Sequence, residues 1–210
     1  MYIVVSSSRL DRLLTCLGQL TTPFKELPPG LTAVIPRLHG DPVLVGEING
    51  LSYLIEDAGT ALAHCWGLLA RTARELTELV IGAVYDPSEE HCEFFAAKGP
   101  DVVRAFWSNP RRTTRAYSVG TPLVTEASLA LSAPGGRGLA AALESFGFPL
   151  FDGEERDLLP GERWITWKGD LDSLMRNDDH AGPVNDHIRK YANPDYRLPE
   201  AVVRVRRVER

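Results

Sequence analysis

Histidines and carboxylates crowd together toward the carboxyl end of the chain, where their side-chain types could support acid–base chemistry. The cluster consists of Asp178, Asp179, His180, Asp186 and His187. Imidazole and carboxylate groups serve as general acids and bases when their neighbours tune their pKa values. A hydrolase or nuclease-like enzyme could therefore use the His180 and His187 region. The simpler alternative is a solvated polar loop, because the segment from Asp178 to Pro199 is polar and contains three prolines.

The tripeptide Asp186-His187-Ile188 is similar to the opening of an HNH nuclease motif. The asparagine and second histidine of that motif are missing downstream, since no histidine lies beyond His187. An enzyme built on this region stays an alternative hypothesis for the function.

Two His-Cys pairs, His64-Cys65 and His91-Cys92, raise the question of a metal site or a Cys-His dyad. Adjacent residues point about 100° apart on a helix and to opposite faces of a strand, so neither pair can chelate by itself. Cys65 falls on the apolar stripe of a predicted helix, where a cysteine packs as a small hydrophobic residue. The chain has no C-x-x-C, H-E-x-x-H or G-x-S-x-G motif. We therefore assign no catalytic residue and expect no metal or other cofactor.

Two other segments contain groups that can bind anions. The run Gly135-Gly136-Arg137-Gly138 opens a predicted helix, but it lacks the Lys-Ser/Thr of a phosphate-binding loop. Arg111, Arg112 and Arg115 stand in a turn near aromatic residues, where arginine can stack on bases or bind phosphate. A flexible helix entrance and a charged hairpin tip are the simpler interpretations.

Acidic residues are concentrated in two segments of a chain with a net charge of −5 and a pI of about 5.6. They are Asp86, Glu89, Glu90 and Glu93 in the first segment and Asp152, Glu154, Glu155, Asp157 and Glu162 in the second. The overall charge argues against a nucleic-acid partner, since non-specific binding of phosphates needs a basic surface. The acidic segments are either solvated loop faces or a surface that attracts a basic protein partner. Trp164 and Trp167 fall on opposite faces of a predicted strand, so one can be exposed, and we take Trp167 as a candidate interface anchor.

The bulk composition is that of an ordinary folded protein. With 210 residues, of which 44% are hydrophobic and 24% charged, the chain can bury a sizeable core without a disulfide or a metal. Its three cysteines are an odd number, and Met1-Tyr2-Ile3-Val4-Val5 resembles a strand more than a signal peptide. No apolar run approaches the roughly 18 residues of a membrane span. We therefore expect a cytoplasmic location and no membrane partner.

The stretch from Val43 to Glu56 predicts a β-hairpin. Asn49-Gly50 separates two alternating segments, and both central residues of a type I′ turn need positive φ. A two-residue loop sets Ile48 opposite Leu51, so that one buried face can hold Leu44, Ile48, Leu51, Tyr53 and Ile55. Helices are predicted from Ser8, as the cap, to Leu20, from Thr60 to about Leu76, and from Arg137 to Phe146.

The remaining elements complete an antiparallel sheet. Further strands are predicted at Met1 to Ser6, Leu31 to Ile35, Leu79 to Tyr85, Cys92 to Ala97, Val102 to Trp107, Thr114 to Val119, Arg163 to Trp167 and Ala201 to Val208. The spacing of about 10–12 residues after Leu79 is typical of a meander. Residues 151–200 are irregular and polar, and the strand that follows them suggests that the tail returns to the main sheet. The sequence thus predicts a single α+β domain over residues 1–210, with about six or seven antiparallel strands and three helices packed mainly on one face.

Parts of the second half of the chain resemble small uncharacterised bacterial proteins. The resemblance covers Arg104-Ala105-Phe106-Trp107, the stretch Thr114 to Leu123 with its Tyr117-Ser118-Val119-Gly120 turn, and Gly138 to Glu144. Some proteins of that kind act as immunity proteins beside polymorphic toxins. The resemblance implies a cytoplasmic, non-enzymatic protein that neutralises a toxin by binding it, and it transfers no functional residue.

The charge pattern and the resemblance together favour an immunity-type or inhibitory protein. Its acidic loops, Asp86 to Glu93 and Asp152 to Glu162, would cover a basic or catalytic surface of a partner toxin or effector. The enzyme that uses His180 and His187 and a regulatory scaffold are the alternatives.

Overall fold

A large antiparallel sheet forms the framework of the protein. The computed structural model describes residues 2–20, 25–26, 41–56, 62–108, 115–120, 136–149, 158–167 and 206–207. Within these residues the sheet has ten strands in the order β10-β8-β7-β6-β5-β1-β4-β3-β9-β2. The strands are β1 (Tyr2–Ser6), β2 (Lys25–Glu26), β3 (Asp41–Ile48), β4 (Leu51–Glu56), β5 (Leu79–Asp86), β6 (His91–Lys98), β7 (Asp101–Ser108), β8 (Arg115–Val119), β9 (Arg163–Trp167) and β10 (Arg206–Arg207). All of these pairings are antiparallel, and the expected α+β class is confirmed.

The β3–β4 hairpin has the predicted turn and register. Asn49 and Gly50 have φ values of 53° and 77°, as a type I′ turn requires. Ile48 pairs with Leu51, and the pairing continues to Val43 and Glu56. Both faces of the hairpin are covered, since Val45 and Leu54 are as deeply buried as Tyr53 on the opposite face.

The helices α1 (Leu10–Leu20), α2 (Trp66–Leu76) and α3 (Gly136–Ser145) cover both faces of the sheet. On the α1–α2 face, the buried strand residues include Val4, Val45, Leu54, Val80 and Phe95. On the α3 face, they include Val5, Tyr53, Ile81, Phe94 and Phe106. The expected packing of the helices mainly on one face is therefore not confirmed, because α3 lies opposite the other two. No helix within the described residues has both the length and the apolar character needed to cross a membrane.

Carboxylates from the sheet cap two helical segments. The backbone N–H of Leu10 donates to Oε1 of Glu47 over 3.0 Å, so Glu47 caps α1 in place of the predicted Ser8. A short 3₁₀ helix, Leu62–His64, precedes α2, and its first N–H donates to Oε2 of the buried Glu56 over 2.8 Å. The predicted second helix therefore begins later than expected, at Trp66.

The end of the described chain returns to the sheet. Arg206 and Arg207 pair with β8 at its outer side, and β9 pairs with β3 on the far side of the sheet. The predicted strand Ala201 to Val208 is described only at residues 206–207, and the predicted strand Leu31 to Ile35 lies outside the described residues.

Candidate functional site

The acidic turn, residues 86–90, joins β5 to β6 at one end of the sheet. Oδ1 of Asp86 accepts hydrogen bonds from the backbone N–H of Ser88 at 2.9 Å and from its hydroxyl at 2.6 Å. Glu90 adopts a left-handed backbone with a φ of 52°, and Asp86 pairs with His91 to close the turn. Aspartate side chains that bond the backbone two residues on are common devices for fixing a turn. The acidic turn therefore has a defined backbone conformation.

The same hydrogen bonds stabilise the ionised form of Asp86. The Ser88 hydroxyl is the largest cause that lowers the pKa of Asp86 below its ordinary value, and the backbone N–H groups of Ser88 and Glu89 act in the same direction against a desolvation cost. Glu89 is half-buried and Glu90 is exposed. Three carboxylates in this short turn form a negative patch at this end of the sheet.

Glu93 does not belong to that exposed patch. Its side chain is only 7% exposed and points to the α1–α2 face, where Oε1 lies 2.7 Å from Nε2 of His91. The His91 ring meets the Trp107 ring edge-on, with 5.9 Å between their centroids. A buried carboxylate is costly unless a polar or charged group pairs with it. The expectation that Glu93 contributes to an exposed partner-binding surface is therefore corrected, since its side chain is buried against His91 beneath the turn.

Trp167 lies at the same end of the sheet as the acidic turn. A row of paired residues runs across the sheet through Ile165, Val43, Glu56, Tyr2, Val84 and Glu93. One pleat further out, Trp167 pairs with Asp41 and Asp86 pairs with His91. The four strand spacings from β9 to β5 correspond to roughly 19 Å. The backbone of the candidate anchor and the acidic turn thus share one border of the sheet.

The residues that precede the second acidic segment lie near the β3–β4 turn and not near the acidic turn. Asp152, Glu154, Glu155 and Asp157 lie outside the described residues. Phe148, before them, packs against Tyr53, and Asn49 of the β3–β4 turn donates to the carbonyl of Gly147 over 3.5 Å. The cross-strand register places the β3–β4 turn at the end of the sheet opposite the acidic turn. The structure therefore does not bring the start of this segment to the acidic turn.

The cysteines of the two histidine–cysteine pairs are buried on opposite faces of the sheet. Cys65 is 1% exposed among the core residues of the α1–α2 face, which confirms its predicted burial. Cys92 is buried on the α3 face, whereas the His91 side chain lies on the opposite face with Glu93. Across the described residues, no three His, Cys, Asp or Glu side chains are grouped to hold a metal ion.

Several candidates from the sequence lie beyond the described residues. These are Arg111, Arg112, Asp178, Asp179, His180, Asp186 and His187. Arg115 is the first residue of β8, and Gly136 is the first residue of α3.

A polar groove between α1 and α2 was not anticipated from the sequence. It has a volume of about 260 Å³ and is lined by Asp11, Arg12, Thr15, Cys16, Gln19, Glu75 and Leu76. Burial, and next the charge of Glu75, raise the pKa of the Cys16 thiol, while a Thr72 hydrogen bond and Arg12 act in the other direction. A raised pKa leaves less of the nucleophilic thiolate at neutral pH. The amphipathic patterns of the two helices predicted their buried stripes but not the groove, which depends on how the helices pair.

Comparison with known proteins assigns no family to this chain. Neither a scan against models of protein families nor searches of curated proteins and of solved structures found a match. The acidic turn therefore has to be interpreted from its own geometry and charge.

Proposed function

We propose that the protein is an immunity-type or inhibitory protein that binds a partner toxin or effector in the cytoplasm, with the acidic turn at the centre of the contact surface. The observation that carries the proposal is the grouping of Asp86, Glu89 and Glu90 on a turn whose backbone is held by hydrogen bonds to Asp86, at the end of two central strands. Groups that are already ordered before binding lose less conformational entropy when the complex forms. The backbone of the acidic turn is therefore preorganised for binding a basic partner.

The charge of the whole chain also favours a basic partner. A net charge of −5 gives a long-range attraction to a basic protein, and the patch gives that attraction a preferred place. Such complementarity mainly raises the rate of association and selects against acidic partners. An inhibitor that must capture a toxin before it reaches its target benefits from fast association.

The contact surface that we propose extends along one border of the sheet. A standard interface covers roughly 800 Å² on each partner, which corresponds to a patch on the order of 30 Å across. The acidic turn and the backbone of Trp167 both fit within that width, since four strand spacings separate β5 from β9. Asp152, Glu154, Glu155 and Asp157 would form a second contact region with its own attachment to the fold.

The proposal is tested by producing the protein together with the product of its neighbouring gene, where that gene encodes a modular toxin. We expect the two proteins to purify as one complex and the host cells to resume growth. Titration of the purified toxin should show inhibition that saturates at a fixed molar ratio, as a stoichiometric binder requires. Full inhibition by a small fraction of an equivalent would contradict a binder and favour the enzyme alternative. The absence of both complex and protection would reject this toxin as the partner and remove the support for the acidic turn as an interface.

A further inference from the structure

Tyr53 contacts two parts of the chain that lie far from it in sequence. It is fully buried in β4 on the α3 face. The Phe148 ring meets it edge-on, with 5.5 Å between the ring centroids and 65° between the planes. The Tyr53 hydroxyl donates a hydrogen bond to Oε1 of Glu162. Phe148 and Glu162 are the residues that flank the 149–161 segment.

Glu162 attaches its own turn to the sheet. It is 9% exposed, and while Oε1 receives the Tyr53 hydroxyl, Oε2 accepts the backbone N–H of Leu159 over 2.6 Å. The Glu162 N–H in turn donates to the carbonyl of Leu159 over 2.9 Å. Hydrogen bonds to a charged group are among the stronger ones, and the loss of one leaves a buried group unsatisfied. One carboxylate therefore joins the 159–162 turn to β4.

Gly46 provides the space for this pair. It stands opposite Tyr53 in the β3–β4 pairing. A Cβ atom at Gly46 would lie 2.5 Å from the Tyr53 hydroxyl oxygen and 2.8 Å from Cγ of Glu162. Any larger residue at this position would displace the phenol or the carboxylate. The local sequence thus accommodates a hydrogen bond between side chains that are 109 residues apart.

We propose that Tyr53 is a positioning residue that holds both ends of the 149–161 segment together on the α3 face. One side chain packs against the residue before the segment and bonds the residue after it. Joining the two ends removes conformational freedom from the chain between them. The segment that contains Asp152, Glu154, Glu155 and Asp157 is thus flanked on both sides by residues that contact Tyr53. Only the consequence for partner binding rests on the proposed function, since the attachment itself can be measured without a partner.

Hydrogen exchange of the full-length protein, followed by mass spectrometry, tests the attachment. Tyr53→Phe keeps the ring that packs against Phe148 and removes only the hydroxyl. We expect amides of the 149–161 segment to exchange about tenfold faster in this variant, while peptides from β5 and β6 keep their wild-type rates. Glutamyl endopeptidase should cleave after Glu154 and Glu155 faster to a similar degree. Tyr85→Phe removes a phenol hydroxyl from the same face away from Glu162, and it is the matched control that should leave the segment unchanged.

Variants at Glu162 separate positioning from charge. A tyrosine hydroxyl can accept as well as donate, so Glu162→Gln can keep both contacts with its carbonyl toward Leu159 and its amide toward Tyr53. In Glu162→Gln we expect the amides of the 149–161 segment to exchange at rates within about twofold of wild type. In Glu162→Ala the same amides should exchange at least as fast as they do in Tyr53→Phe.

Two results would overturn the inference. One is equal exchange of the 149–161 segment in wild type and Tyr53→Phe. The other is a uniform rise across all peptides, which would mean that the hydroxyl only contributes to global stability. Faster exchange of the segment with unchanged partner association would leave Tyr53 as the positioning residue and would place the partner contact elsewhere. The outcome for Tyr53 and the outcome for the proposed function are therefore distinguishable.

Discussion

Asp86 and Glu93 are carboxylates of one strand pair with opposite surroundings. Asp86 stands at the surface, where Ser88 supplies two hydrogen bonds to one of its oxygens. Glu93 is buried and lies against His91, which is itself packed on Trp107. The first adds to the negative charge of the surface, whereas the second is buried against His91 below it. Counting acidic residues along the sequence therefore overstates the negative surface at this end of the sheet.

Removal of the Ser88 hydroxyl should raise the pKa of Asp86 toward its ordinary value. In Ser88→Ala the largest cause of the lowered pKa is gone and the backbone N–H remains. A carboxyl whose pKa is lowered by folding stabilises the fold above its ordinary pKa, and the contribution is lost as the pH falls through the lowered value. The stability difference between wild type and Ser88→Ala should therefore be present at neutral pH and vanish in acid. An NMR titration of the Asp86 carboxyl carbon measures the shift directly.

The control for this titration is Thr15→Ala, which removes an exposed hydroxyl that bonds the backbone carbonyl of Asp11. It should leave the titration of Asp86 unaltered. If Asp86 titrates identically in wild type and Ser88→Ala, the hydrogen-bonded geometry of the acidic turn is wrong.

The β3–β4 hairpin gives a sharp test of backbone strain. Gly50 has a φ of 77°, and a Cβ atom placed there would meet nothing within 4 Å. A substitution at Gly50 therefore acts through the backbone and not through a clash. Gly50→Val should lower the free energy of unfolding by roughly 1–3 kcal/mol, since a β-branched residue resists the left-handed region. Chemical denaturation measures the change.

Gly50→Asn is the matched control, because asparagine tolerates positive φ better than other side chains. It should cost clearly less than the valine variant. A denaturation midpoint for Gly50→Val equal to that of wild type would contradict the type I′ turn.

Local chemistry explains which elements could be predicted from the sequence. The hairpin was predictable because Asn49 and Gly50 both prefer the backbone that the turn needs. The strand Arg163 to Trp167 has the predicted bounds, and the meander from β5 to β8 agrees with its turn spacing. These features depend on neighbouring residues only.

Long-range contacts explain what could not be predicted. The cap of α1 comes from Glu47, which is 37 residues away from Leu10, while Ser8 points into the fold. The apolar stripe of α3 predicts a buried side but not which face of the sheet receives it. The Tyr53–Glu162 bond joins residues whose proximity follows only from the strand order. The inward direction of the Glu93 side chain was not predicted because β6 is covered on both faces. The alternation of side chains along the strand therefore does not distinguish a solvent-facing side from a buried one.

At the scale of the whole molecule, the acidic turn lies apart from the two residues that flank the 149–161 segment, Phe148 and Glu162. The acidic turn ends the central strands β5 and β6, which lie well inside the sheet order. The 149–161 segment is attached at Tyr53, nearer the opposite end of the sheet. Charge changes in the acidic turn and in the 149–161 segment can therefore be tested separately.

Charge reversal in the acidic turn tests the interface. Glu89→Lys combined with Glu90→Lys should slow association with the co-purified partner by about an order of magnitude at low salt. The effect should shrink at moderate salt, because screening shortens the reach of surface charges to about 10 Å at 0.1 M. Dissociation should change less than association. Surface capture at both salt concentrations measures both rates, and circular dichroism confirms that the fold is kept.

The control must change the net charge equally at another place. Asp101→Lys combined with Glu144→Lys does so, since both residues are exposed and Asp101 begins β7 at the end of the sheet opposite the acidic turn. If both double variants slow association alike, only the net charge matters and the patch has no special position. If the variant in the acidic turn associates as fast as wild type at both salts, the turn is a solvated surface and the proposed interface is wrong. The triple variant Glu154→Lys, Glu155→Lys, Asp157→Lys then shows whether the second acidic segment accelerates association, and because that segment is attached separately, its effect should add to that of the turn.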